Sequence, residues 1–342
     1  MIAPVARKIT TPAPKPMNLA LPENMKIPAI PTIRAINPIA TTIHPNPSLI
    51  IMILHYTRML LVLTVRCTDI INVGEYIHYD KMNSEKAILV ISFGTSYNDN
   101  REKTIGAIEK DIAEAFPDYE IRRAFTSKMI IAKLKKRDNE HIDYIDEALE
   151  RLATDGFKKV IVQPTHIMNG TEYDFVRNIS MNYADRFDNL TVGTPLLTTA
   201  EDYDAVVEAI DNTMIKENTP NTVILMGHGT EHYANAAYSQ LMLKLLLSDK
   251  DAVVTTVEGF PSFEDTIRLL GDSDNRTVVA YPFMVVAGDH ANNDMAGDEE
   301  DSLKSVLEKA GFDVECRING LGEFPEFRKL FVEHVKKAIE GQ

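Results

Sequence analysis

From Lys86 to the C-terminus, short apolar runs of strand length alternate with longer amphipathic stretches, and that alternation restricts the chain to a narrow class of folds. The apolar runs are Ala87 to Phe93, Tyr119 to Phe125, Lys159 to Gln163, Leu190 to Thr194, Thr222 to Met226, Ala252 to Val257, Thr277 to Tyr281 and Asp313 to Ile318. Helical stretches separate them. Asp99 to Phe116, for example, places Ile105, Ile108, Ile112 and Phe116 on one face, with Asp99 and Glu102 spaced as a capping box. Strands alternating with helices predict a parallel, doubly wound α/β architecture, in which ligands bind at the carboxyl ends of the strands.

With 342 residues, 44% of them hydrophobic, the chain can bury one large core or two ordinary ones, and two domains are expected. Residues 1–81 do not share the alternation. Ten of the 17 prolines fall before residue 48, and no helical or alternating period fits there. Residues 1–81 are therefore expected to be disordered, or an over-extended reading frame ahead of Met82. The apolar run Leu49 to Val65 is interrupted by His55, Thr57 and Arg58, a poor pattern for a spanning helix, and it begins too late for a signal peptide. No membrane association is expected, and the expected compartment is the cytoplasm, with the periplasm as the alternative if the extension is an export signal. Cys67 and Cys316, the only cysteines, support neither a disulfide framework nor a cysteine zinc knuckle, so any metal must be held by His and carboxylate. Residues 1–81 carry 8 Lys and Arg against 4 Asp and Glu, and the remainder carries 28 against 46. Such an acidic body excludes nucleic acid as a partner, because neutralising phosphates needs a basic face.

The two halves can be laid on each other. Val90-Ile-Ser-Phe-Gly-Thr95 matches Leu225-Met-Gly-His-Gly-Thr230, and Val160-Ile-Val-Gln-Pro164 with Gly170 matches Val278-Val-Ala-Tyr-Pro282 with Gly288. The repeat implies a duplicated α/β unit, with an N-terminal domain over residues 82–200 and a C-terminal one over 201–342. In this register His228 falls opposite Phe93, Glu258 opposite the Ala124/Phe125 pair and His290 opposite Glu172. The candidate ligands are thus concentrated in the second half, and a cleft between the halves would have one metal-binding wall and one apolar wall.

His228 lies between two glycines just past an apolar run, where its ring is uncovered. His290 sits in the polar loop Gly288-Asp-His-Ala-Asn-Asn-Asp294, in which Asp289 and Asp294 also read as turn formers or caps. Glu258, before Gly259 and Pro261, reads equally as a solvated turn residue. Together two imidazoles and a carboxylate suit Co²⁺, Fe²⁺, Ni²⁺ or Zn²⁺. They do not form a single-helix metal motif, so the fold must bring them together. His166 reads either as a ligand-facing or as a core histidine, His232 as a support for His228, and His141 and His334 as surface helix residues. Neither Ser92-Phe-Gly-Thr-Ser96 nor Gly227-His-Gly-Thr230 has the glycine spacing of a nucleotide-binding loop, so no nucleotide cofactor is expected.

Several of these stretches resemble the class II chelatases, and in particular the anaerobic sirohydrochlorin cobaltochelatase CbiK family. They are Ile91 to Tyr97, Arg123 to Ser127, His166 to Gly170 with Glu172-Tyr173, Met226 to Gly229, Val257-Glu258, Val286 to Ala291 with Asn293 to Ala296, and Gly320 to Glu323. The resemblance implies two flavodoxin-like, chelatase-like domains with parallel sheets and a tetrapyrrole cleft between them. It also implies a metal bound by His228, Glu258 and His290, with Co²⁺ as substrate metal and a sirohydrochlorin-type tetrapyrrole as partner. His228 and His290 are the expected catalytic residues, taking pyrrole protons as the metal enters. Phe93, Gly94, Thr95, His166 and Glu172 are expected on the tetrapyrrole side of the cleft, with Phe93 and Phe125 as an apolar floor or as ordinary core aromatics. Arg122, Arg123 and Lys128 are candidate partners for the substrate carboxylates, or a solvated basic face. Association into a homo-oligomer is left open by the sequence.

Overall fold

The first apolar run forms β1 (Lys86–Ser92), buried at every position after Lys86. Ala87, Leu89 and Ile91 enter one core and Ile88 and Val90 another, so both faces are covered and the strand is apolar along its whole length. The computed structural model describes residues 85–271 and 276–341, and the expectations for residues 1–81 lie outside them. Among the described residues β2 (Glu120–Phe125), β3 (Asp143–Tyr144), β4 (Lys159–Pro164) and β5 (Asn189–Val192) join β1 in a sheet of order β3-β2-β1-β4-β5. A second sheet has the order β7-β6-β8-β9, built from β6 (Thr222–Gly227), β7 (Ala252–Thr256), β8 (Thr277–Pro282) and β9 (Asp313–Cys316). All pairings within these sheets are parallel, as the alternation predicts. Strand β3 has two residues, too few to show a period.

The internal repeat is exact in register at the centre of each sheet. Ile88 pairs with Ile161 across β1 and β4, and their counterparts Val223 and Val279 pair across β6 and β8. The β1–β2 and β6–β7 pairings correct one assignment: Ser92 lies opposite Phe125 and Gly227 opposite Thr256, so Glu258 corresponds to Ser127, not to Ala124/Phe125. The next hydrogen bonds agree, since Ser127 N–H donates to Phe93 O at 3.2 Å and Glu258 N–H to His228 O at 2.7 Å.

Among the described residues nine helices, with shorter helical turns beside them, fill the connections. Helix α1 (98–115) opens as Asn98–Arg101, widens into a π-helical turn at Glu102–Gly106 and continues as Ala107–Ala115. Its N-cap is Tyr97, which makes no side-chain cap, so the Asp99/Glu102 capping box is not formed. The others are α2 (Lys128–Asp138), α3 (Ile145–Thr154), α4 (Thr171–Met181), α5 (200–218), α6 (Ala236–Leu247), α7 (Phe263–Leu270), α8 (Leu303–Lys309) and α9 (Pro325–Glu340). Helices α3 and α4 cover the outer face of the first sheet, and α7 and α8 the outer face of the second. Between the sheets, α1, α5, α6 and α9 share a single apolar core with the inner residues of β1, β4, β6, β7 and β8. No helix among the described residues is long and apolar enough to cross a membrane.

Helix α9 locks this central layer from the C-terminal end. His334, expected on the surface, is 3% exposed, its Nδ1 3.1 Å from Thr194 O and its Nε2 3.1 Å from Asp202 Oδ1, with Lys337 Nζ on the same carboxylate. Arg328 of α9 also pairs with Asp111 of α1 at 2.6 Å. Burial alone would raise the Asp202 carboxyl, but the Thr199 backbone N–H, His334 and Lys337 outweigh it and hold the group below the ordinary carboxylate range. A depressed folded-state pKa stabilises the fold above the unfolded value, and that stability is lost as the pH falls below about 4. Replacing His334 by Leu should cost about 1–3 kcal/mol by stripping a buried partner from Asp202. Denaturant melts at pH 7 and pH 3 check it: the deficit of the variant should shrink at pH 3.

Candidate active site

The carboxyl ends of β6, β7 and β8 carry the three candidate metal ligands. His228 is the first residue past β6, and its flanking glycines are both needed where they stand. A Cβ on Gly227 would lie 2.2 Å from the buried Tyr238 ring, and one on Gly229, at φ +83°, would lie 2.1 Å from the carbonyl oxygen of Glu258. The chain therefore turns away from β6 within a single residue, leaving His228 exposed at the carboxyl end of this inner strand. Its twin behaves alike: Phe93 is 49% exposed beside Gly94, whose φ is +101°.

His290 reaches the same place from the loop after β8. The two rings stand edge to face, with centroids 4.5 Å apart and planes at 86°. Each Nδ1 faces an oxygen that can only accept: Gly229 O at 2.9 Å for His228 and Asp294 Oδ2 at 2.7 Å for His290. Nδ1 is then the donor in each pair, and the tautomer this selects leaves Nε2 as the lone-pair nitrogen, the form in which an imidazole binds a metal or accepts a proton. Asp294, read from sequence as a turn former or cap, is the carboxylate that orients His290. Its replacement by Ala should weaken Co²⁺ binding about 10- to 100-fold while leaving the fold intact, measurable by metal titration.

Glu258 is tied to His228 through its backbone, and it is exposed. Its side chain does not complete a metal cluster in this conformation, because no group of three or more His, Cys, Asp and Glu is placed to hold a metal among the described residues. The two imidazoles form the assembled part of the site.

On the facing half, Phe93 and Gly94 follow β1, and Thr95 is 3% exposed, its Oγ1 accepting from Tyr97 N–H at 3.2 Å. Phe125 is fully buried beneath Gly94, so only Phe93 is left to offer an aromatic wall. Glu172 is exposed in the first turn of α4. His166 follows β4 with both ring nitrogens buried and without hydrogen-bond partners among the described residues, and burial pushes its pKa down to about 4, so it is a neutral imidazole. His232 is the cap of a short turn, Nδ1 accepting from Ala234 N–H at 3.2 Å, and its Nε2 lies 3.8 Å from Asp174 at the start of α4.

The basic residues divide differently from the sequence expectation. Arg122 pairs with Glu120 and Asp155, and Arg123 holds Glu109 through two bonds of 2.7 and 2.5 Å. Arg123 lies opposite Val90 in mid-sheet rather than at the strand end. Neither guanidinium is free for a ligand. Lys128, the first residue of α2, has its ammonium 4.4 Å from the centroid of the Tyr144 ring and forms no ion pair among the described residues.

Known proteins are similar to this chain in sequence and fold. A sirohydrochlorin cobaltochelatase of Salmonella typhimurium is 42% identical over 256 residues, spanning 75% of this chain and 97% of that protein. The sirohydrochlorin cobaltochelatase CbiKC of Nitratidesulfovibrio vulgaris is 30% identical over 261 residues, 75% of this chain and 92% of the relative. The solved structure of SirB from Bacillus subtilis with Fe³⁺ is similar in fold, with a TM-score of 0.55 at 17% identity, covering 75% of this chain and 98% of that one. The family model described as cobalt chelatase (CbiK) matches residues 86–340, from the start of β1 to the end of α9, and the chain belongs to that family.

Proposed function

We propose that the protein inserts Co²⁺ into sirohydrochlorin between the loops at the carboxyl ends of its two sheets, a reading supported above all by the adjoining imidazoles of His228 and His290. The relatives named sirohydrochlorin cobaltochelatase supply the substrate pair. Insertion exchanges one divalent cation for two pyrrole protons. A metal held by two Nε2 atoms keeps open positions for the incoming pyrrole nitrogens, and the imidazoles it leaves behind are free to accept the protons. Glu258 is the third metal ligand in this reading, its exposed side chain swinging toward the imidazoles from a backbone already bound to His228. The tetrapyrrole lies against Phe93, Gly94, Thr95, His166 and Glu172, the first half supplying that wall over residues 82–200 and the second half, 201–342, the metal wall. No nucleotide takes part, because metal–nitrogen bond formation drives the exchange. The reaction takes place in the cytoplasm.

The test is to mix the purified full chain with sirohydrochlorin and Co²⁺ and follow the absorption spectrum. Turnover well above the spontaneous rate is the expected result. Stoichiometric binding without acceleration would make the protein a tetrapyrrole carrier, and faster turnover with Fe²⁺ or Ni²⁺ would reassign the metal.

A further inference from the structure

The loop that carries His290 is gripped from the other half of the molecule. Tyr97 Oη donates to Asp289 Oδ1 at 2.7 Å, and Ala287 N–H donates to Asn100 Oδ1 at 3.1 Å. Gly288, between them, has Thr95 Oγ1 4.0 Å from where a Cβ would stand. Three consecutive residues before His290 thus face one short segment, 95–100, that follows β1 of the first sheet. Beside this contact lies a cavity of about 570 Å³ bordered by Tyr97, Asn100, Ala287 and Asn292. The loop has open space on that side, so hydrogen bonds rather than close packing set its position there.

The internal repeat makes a looser counterpart of this contact. Thr230 and His232 occupy the places of Thr95 and Tyr97, and the local bond recurs: Thr230 Oγ1 accepts from His232 N–H at 3.1 Å, as Thr95 Oγ1 does from Tyr97 N–H at 3.2 Å. His232 Nε2 then lies 3.8 Å from Asp174 in the first turn of α4, past β4, where Tyr97 is hydrogen-bonded to Asp289, past β8. Each half sends the turn after its central strand toward the segment that follows the neighbouring strand in the other half. Only the Tyr97 copy ends beside a candidate metal ligand.

We infer that Tyr97 and Asn100 are positioning residues for the metal site: the first half, which supplies no metal ligand, sets the place of His290 by holding Asp289 and Ala287. This rests on the reading of His290 as a ligand. Shifting that loop separates the two Nε2 atoms and so alters metal affinity, while both sheets and the central core stay as they are.

The test compares Tyr97→Phe, Asp289→Ala, the double variant and His290→Ala in the full chain. Co²⁺ binding without tetrapyrrole is followed by visible absorption, KM for Co²⁺ and kcat by insertion assay, and Tm by circular dichroism. Tyr97→Phe should weaken Co²⁺ binding and raise KM for Co²⁺ about tenfold, with Tm unchanged. The double variant should be no worse than Asp289→Ala, because both substitutions break one bond. If the two losses multiply, or if Tyr97→Phe leaves binding and KM as in the wild type, the positioning role is wrong. If His290→Ala binds and inserts Co²⁺ normally, the reading of His290 fails first and takes this inference with it.

Discussion

Replacing His228 or His290 by Ala should lower the rate of Co²⁺ insertion about 10³-fold, the loss expected when a group that both holds the metal and accepts a proton is removed. Each substitution takes away one of two Nε2 donors whose tautomers are set by separate acceptors, Gly229 O and Asp294. The remaining ring cannot substitute, because a single imidazole offers only one Nε2 lone pair. Both losses should appear in kcat with little change in Tm, since His228 is exposed and His290 only partly buried. The double variant should be hardly worse than either single one, as is usual for groups that act as a unit. Single-turnover spectroscopy at saturating Co²⁺ measures this directly, and a variant inserting metal within a fewfold of the wild type would remove these residues from the site.

Gly229→Ala should be nearly as damaging to activity and, unlike the histidine changes, should also destabilise the fold. Two costs combine there. A side chain at φ +83° is strained by about 1–2 kcal/mol, and a Cβ 2.1 Å from the backbone oxygen of Glu258 forces the 256–259 segment to move, for about 1–3 kcal/mol more. The moving segment carries Glu258 and bonds to His228, so a displacement of about 1 Å should cost about 10²-fold in rate. Gly156→Ala separates the costs, since Gly156 has φ +88° with nothing within 4 Å. It should lose the strain energy alone and keep full activity. Equal stability losses in the two variants would show that the contact with Glu258 yields without resistance.

How far the site was legible before the fold depends on which residues carry it. His228 announces itself through Gly227 and Gly229, because a histidine at a strand end between two glycines has a local cause, the abrupt turn away from β6. His290 is marked by the loop it shares with Asp289 and Asp294. Glu258 has no such mark, and its place beside His228 comes from the pairing of β7 with β6. Arg122 and Arg123 looked available because the sequence does not show that Glu120, Asp155 and Glu109 face them. Phe125 is covered by Ile105, Leu134 and Ile142 of neighbouring segments, whereas His334 was misplaced because Thr194 and Asp202, which cover it, lie 140 and 132 positions away.

The sequence by itself determined the parallel α/β class, the duplication and the candidate ligands, since strand burial, helical period and glycine-flanked turns are effects of neighbouring residues. Strand order, the register that places Glu258 opposite Ser127 in the repeat, and the layer of helices joining the two sheets required the tertiary structure. So did the contact of Tyr97 with Asp289, between residues 192 positions apart. Such contacts exist only once the two sheets are packed about one core, and no pattern in either segment alone encodes the other's position.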